Sequence, residues 1–148
     1  MSAALIAARL AADATLLATL TGGVHDHATL GVLGASKLPA SAYTAGGKLK
    51  PLAIVRGRAV VPTGELADRS SQYASTRQVV EVWLYDDRDA TAAALDTAGA
   101  RIYALLQERP VTGTYALVNA SWDRGGRAIE YGEARMSRME WVVRGRLP

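Results

Sequence analysis

A chain of 148 residues with 49% hydrophobic and 21% charged side chains can bury one core without staples and is too apolar to stay disordered. The formal charge of +3 permits contact with a polyanion but is not the concentrated charge of a dedicated duplex binder. With no cysteine, disulfides and thiolate metal sites are excluded.

The first element is helical. Residues 2–20 are rich in Ala and Leu, and Leu5, Ile6, Leu10, Leu17 and Leu20 cluster on a broad face. Asp13 can cap a second short turn, which predicts a break near Ala12, and Gly22-Gly23 ends the stretch. Arg9 and Asp13 interrupt the apolar run and no basic leader precedes it, so it does not read as a signal peptide. No stretch reaches the roughly 20 apolar residues that span a bilayer, and the chain is expected to be made and used in the cytoplasm.

Residues 24–50 carry Gly31, Gly34, Gly46 and Gly47 and read as a long loop around a short extended piece, Leu38 to Tyr43. The first strand is predicted at Pro51 to Arg56. Residues 57–76, with Gly57, Pro62, Gly64, Ser70, Ser71 and Ser75, show no sustained period. They predict a long flexible loop, with a partly ordered hairpin through Ala59 to Val61. The run Arg77 to Asp87 alternates: Val80, Val82 and Leu84 share one face, and Val79, Glu81, Trp83 and Tyr85 the other. Asp89 can then cap a helix over residues 90–108 whose stripe is Leu95, Ala98, Ile102, Leu105 and Leu106. Two strands follow, Thr114 to Trp122 and Glu133 to Arg144, joined through the turn signal Asp123 to Gly126. In the last, Met139, Trp141 and Val143 share a face opposite Arg138, Glu140, Val142 and Arg144. The whole predicts one α+β domain, residues 1–148, in the order α-β-β-α-β-β: a mainly antiparallel sheet of about four strands, two helices packed on one face and the other face free for water or a neighbouring subunit.

Little here points to catalysis. His25-Asp26-His27 offers two imidazoles and a carboxylate, and a small metal-dependent enzyme built on that loop is the alternative of another class. Only Asp or Glu is left to supply further ligands, so the segment reads as a polar loop. Neither Gly31 to Gly34 nor Gly46-Gly47-Lys48 forms a P-loop or dinucleotide fingerprint. Ser41, Ser70 and Ser71 lack a histidine partner at nucleophile spacing. Asp86, Asp87 and Asp89 read as helix initiation rather than a cation cluster. The pairs Arg56/Arg58 and Arg144/Arg146 flank glycines and could touch phosphate, although a solvated strand end is the simpler reading. A DNA-binding module is disfavoured because the helix over 90–108 carries only Arg101, with Arg109 just beyond it. No catalytic residue, cofactor or metal is assigned.

This order of elements resembles the tail-terminator, or tail-completion, proteins of long-tailed bacteriophages and prophages. The pieces that carry the resemblance are Leu10 to Leu20 before a glycine, Lys37-Leu-Pro39 leading to the first strand, and Val79-Val-Glu-Val-Trp-Leu-Tyr85. The last feeds an acidic turn and an alanine-rich helix ending Ile102-Tyr-Ala-Leu-Leu106. The resemblance implies a structural virion protein at the head–tail junction: a ring, typically hexameric, that caps the tail tube, ends its polymerisation and offers a surface for head joining. The partners implied are other copies of the chain, the major tail tube protein and the head–tail connector or neck proteins, with DNA as cargo passing through the lumen and no membrane. A head-closure or adaptor protein of the neck is the neighbouring alternative. Candidate residues for the subunit or tube interface are Arg58, Glu65, Asp68, Arg69, Trp83, Tyr85, Arg138, Glu140 and Arg144.

Overall fold

A computed structural model describes residues 2–30, 38–62, 75–110, 114–129 and 132–146. The N-terminal apolar run forms two helices, α1 (Ser2–Ala11) and α2 (Ala14–Thr19), broken where expected. Asp13 sits in extended conformation before α2, and its Oδ1 accepts the Leu16 N–H at 2.7 Å. The same carboxylate takes two hydrogen bonds from Arg101, at 3.1 and 2.6 Å, so the cap of α2 also anchors the long helix that crosses it. Of the expected face, Ile6, Leu10 and Leu20 are buried, together with Leu16. Leu5 and Leu17 lie at the surface instead.

A short strand, β1 (Val24–Asp26), and one helical turn, α3 (His27–Leu30), follow. Both occupy the region expected as loop. β1 pairs in parallel with β2 (Leu52–Pro62), which hairpin periodicity could not reveal because parallel pairing needs a long crossover. Gly22 and Gly23 make that join possible. A Cβ on Gly22 would lie 3.0 Å from both Leu52 Cβ and the Pro51 carbonyl oxygen, and Gly23 has φ +91°. The Ala53 N–H then donates to the Gly23 carbonyl.

β2 is longer than the predicted first strand and pairs antiparallel with β3 (Ser75–Asp86), with a bulge between Gly57 and Val60. Residues 57–62 and 75–76, expected as loop, are therefore strand, and the flexible loop expected between them falls on 63–74, outside the described residues. After β3 the chain turns through Asp87 to Ala90 and enters α4 (Ala93–Leu106). Asp89 does not cap this helix: the residue before it is Ala92, without a side-chain cap, and the acidic residues bond one another's backbone in the turn. β4 (Thr114–Ala128) and β5 (Ala134–Arg146) complete the fold. Asp123 to Gly126 is not their turn. Pairing slips between Asp123 and Gly126, Gly125 takes φ +82°, and the strands continue to Ala128↔Ala134.

The sheet thus has five strands rather than four, in the order β1-β2-β3-β5-β4, antiparallel except at β1. On one face Ala53, Val55, Val80, Val82, Leu84, Met139, Trp141 and Val143 pack against Ile6 and Leu10 of α1, Leu16 of α2 and Leu95, Ala98, Ile102 and Leu106 of α4. A second, smaller core lies on the other face, where Leu38, Ala42 and Leu49 cover Leu52, Ile54, Tyr85, Ala128 and Ala134. Among the described residues no helix is long and apolar enough to cross a membrane.

Two substitutions test the helix–sheet packing. Ile102 is fully buried, so Ile102→Ala should cost about 2–5 kcal/mol. Gly99 lies beneath the Trp122 ring, whose Cζ2 would stand 2.2 Å from an added Cβ and whose Nε1 is held by Ser137 Oγ at 3.0 Å. An isolated helix gains up to about 1 kcal/mol from Gly→Ala. Here Gly99→Ala should instead destabilise by about 1–3 kcal/mol through overpacking. A raised melting temperature would mean that the Trp122 ring can step aside.

Candidate functional site

The helix-free face of the sheet holds the residues singled out from the sequence, and it divides into three zones. Nearest the β3 C-terminus it is closed. Tyr85 is only 5% exposed and belongs to the second core beneath Leu38 to Leu49, so it is not part of the subunit surface. The sequence showed the alternation that puts Tyr85 on this face but not the distant segment that covers it.

In the middle zone, antiparallel register sets Arg56 beside Glu81, Glu81 beside Glu140, and Trp83 beside Arg138. Two carboxylates directly opposite each other repel unless cations intervene. Arg58 and Arg138 do so: each places Nη2 2.5 Å from Glu81 Oε1. Arg138 also pairs with Glu140, and Arg58 lies 3.7 Å from it. Glu81 Oε2 accepts the Trp83 indole N–H at 3.2 Å, and the Trp83 ring stacks on Tyr85 with the Arg138 guanidinium 5.1 Å from its centroid. Burial pushes the Glu81 carboxyl up, but the hydrogen bonds from Arg58, Arg138 and Trp83 and the charge of Arg138 outweigh it and hold the group below its usual range. Arg56, Gly57, Arg58 and Ala59 wall a shallow cleft of about 480 Å³ over this network.

The third zone runs towards the β3 N-terminus. Val79 and Val142 are half-buried neighbours, Val118 opposite Val142 is 47% exposed, and Arg77 stands opposite Arg144. Of the remaining candidates, Arg144 is placed by its backbone in β5, and Glu65, Asp68 and Arg69 lie outside the described residues. The structure therefore brings together Arg58, Trp83, Arg138 and Glu140 around Glu81. Glu81 was visible in the sequence only as one more alternate residue of a strand, because its partners come from β2 and β5 and depend on register.

The His25-Asp26-His27 segment is used by the backbone. His25 Nε2 is 2.8 Å from the Gly22 carbonyl oxygen, and Asp26 Oδ1 accepts the Ala28 N–H at the start of α3. Among the described residues no three His, Asp or Glu side chains converge as a metal site would require.

Acid should weaken the fold through Glu81 and Asp13. Asp13 is also held below its usual range, chiefly by the Arg101 hydrogen bonds and then by the Leu16 N–H. A carboxylate whose folded value lies below its unfolded one stabilises fully above the unfolded value, about 4.3 for Glu, and the gain is lost as pH falls through the folded value. Asp86 opposes this. Burial raises it, so its contribution is present in acid and lost as pH rises through its folded value. Glu81→Gln should cost about 1.5–3 kcal/mol at neutral pH, and the gap to wild type should close in acid. Parallel stability–pH curves for the two proteins would show that the Glu81 charge does not matter.

No family model matches the chain, and no curated protein matches it. Among solved structures it is similar to a chain from the virion of a native gene transfer agent particle, with a TM-score of 0.54 and 20% identity over 97% of this chain and 91% of that one. At that identity the likeness is one of fold.

Proposed function

We propose that the chain is a structural protein of a phage-like virion that assembles into a ring, most simply a hexamer, capping the tail tube at the head–tail junction. The observation that carries this reading is a fold likeness, along nearly the whole of both chains, to a component of a gene transfer agent virion. The order of elements, which resembles tail terminators, supplies the finer assignment. In this role the ring stops tube growth on one side and meets connector or neck proteins on the other.

A closed ring needs two different patches on each subunit, joined head to tail. One is the sheet face, where the neutralised Arg58–Glu81–Arg138–Glu140 network and Trp83 adjoin the Val79, Val118 and Val142 strip. A mixed polar and apolar surface of this kind suits an interface that must also remain soluble when unpaired. The helical layer offers the other, through the exposed apolar residues Leu5 and Leu17 on α1 and α2 and Tyr103 on α4.

Light scattering and negative-stain imaging across a concentration series, with and without isolated tail tubes, test the reading. Rings that bind tube ends are expected. A strict monomer even with tubes present would overturn it, and binding to capsid portals instead of tubes would assign the chain to the neck as a head-closure or adaptor protein. Val118→Glu should abolish ring formation while changing subunit stability by no more than about 1 kcal/mol, since the position is half-exposed on an edge strand.

A further inference from the structure

The sequence contains the tripeptide Arg-Gly-Arg twice, at 56–58 and 144–146. The fold places one copy on β2 and the other on β5, the two strands that flank β3. Register sets Arg56 opposite Glu81, Arg144 opposite Arg77 and Arg146 opposite Ser75. Five arginines from three adjacent strands therefore fall beside one stretch of β3, Ser75 to Glu81. At about 3.3 Å per residue and 4.8 Å between strands, this is a strip roughly 20 Å long and 10 Å wide.

Their charge is only partly answered. Glu81 and Glu140 are committed to Arg58 and Arg138. Arg56 and Arg77 are exposed and form no ion pair among the described residues. The connecting segment 63–74 carries Glu65 and Asp68 against Arg69, too little acid to neutralise the strip. Arg77 directly opposite Arg144 weakens a sheet, so the fold gains nothing from that pair.

We infer that this end of the sheet binds the phosphate backbone of duplex DNA without selecting sequence. Duplex DNA presents about one negative charge per 1.7 Å of axis, and the exposed, unpaired Arg56 and Arg77 offer cations to it on a stretch of sheet where the backbone also sets Arg144 and Arg146. Each guanidinium can engage a phosphate through two N–H groups. Base reading is not provided for. Among the described residues no helix enters from this end, and Trp83 is already stacked between Tyr85 and Arg138 rather than open to an unpaired base. The inference stands independently of ring formation and can be tested on the free subunit.

The experiment is fluorescence anisotropy of a short labelled duplex of mixed sequence, titrated at low salt and then across increasing salt. Binding should weaken linearly on logarithmic axes. Arg56→Gln with Arg77→Gln should lower the slope by roughly 0.9 for each arginine removed. Circular dichroism serves as the check that this variant, which loses no ion pair of the fold, remains folded. Lys48→Gln with Lys50→Gln removes the same charge near the second core and should leave the slope unchanged. Absence of binding at low salt, or equal losses for the two double variants, would overturn the inference. So would displacement of the duplex by polyglutamate at lower charge concentration than by unlabelled duplex, which would assign the strip to an acidic protein. Tube capping that persists in the arginine double variant leaves the ring reading intact whichever way the DNA result falls.

Discussion

A single carboxylate oxygen ties the centre of this sheet together. Glu81 Oε1 on β3 accepts from Arg58 on β2 and from Arg138 on β5, so one atom cross-links three strands. A one-residue slip of either neighbour would send its arginine to the helical face and leave a buried charge unpaired, at a cost far above that of a lost surface contact. Register here is specified twice: by Val80, Val82 and Leu84 beneath the helices and by the charge network above. The helical layer uses the same device in smaller form, where Asp13 caps α2 and holds Arg101 of α4.

What the sequence made legible follows from the range of the forces involved. The alternation along β3 and β5, the stripe of α4 and the Asp13 cap are local patterns, and each lies where its pattern puts it. The misses are all non-local. β1 is three residues long and exists only because β2 lies beside it. Asp123 to Gly126 has the composition of a turn, but tertiary pairing carries the strands past it and converts the glycines into a bulge. Asp89 has the chemistry of a cap and sits three residues too early, inside a turn that the neighbouring aspartates satisfy.

The candidate site divides in the same way. Alternation placed Trp83, Arg138 and Glu140 on the helix-free face, and the structure finds them there. It could not separate covered positions from open ones, so Tyr85 was grouped with its neighbours although Leu38 to Leu49 fold over it. Nor could it set Glu81 apart, since an isolated glutamate on a strand reads as a solvent-facing residue. The two Arg-Gly-Arg tripeptides were visible as motifs, but only the strand order brings them to one end of the sheet with Arg77 between them.

The charge network also determines how one face can serve two partners. By consuming Arg58 and Arg138, Glu81 and Glu140 leave the middle zone nearly neutral, with indole and aliphatic surface exposed around paired ions. Such a patch can meet another protein subunit without desolvating an unpaired charge. Arg56 and Arg77 have no such carboxylate, so unpaired positive charge flanks the network, beside Glu81 on β2 and beyond Val79 towards the β3 N-terminus. A polyanion and a neighbouring subunit would then address overlapping parts of this face, since Val79 and Val142 lie between the charged rows, through different physics: the first through long-range, salt-sensitive attraction, the second through short-range packing. Removing the Glu81 charge would leave Arg58 and Arg138 with Glu140 alone, so this one residue contributes both to strand register and to the charge balance of the surface.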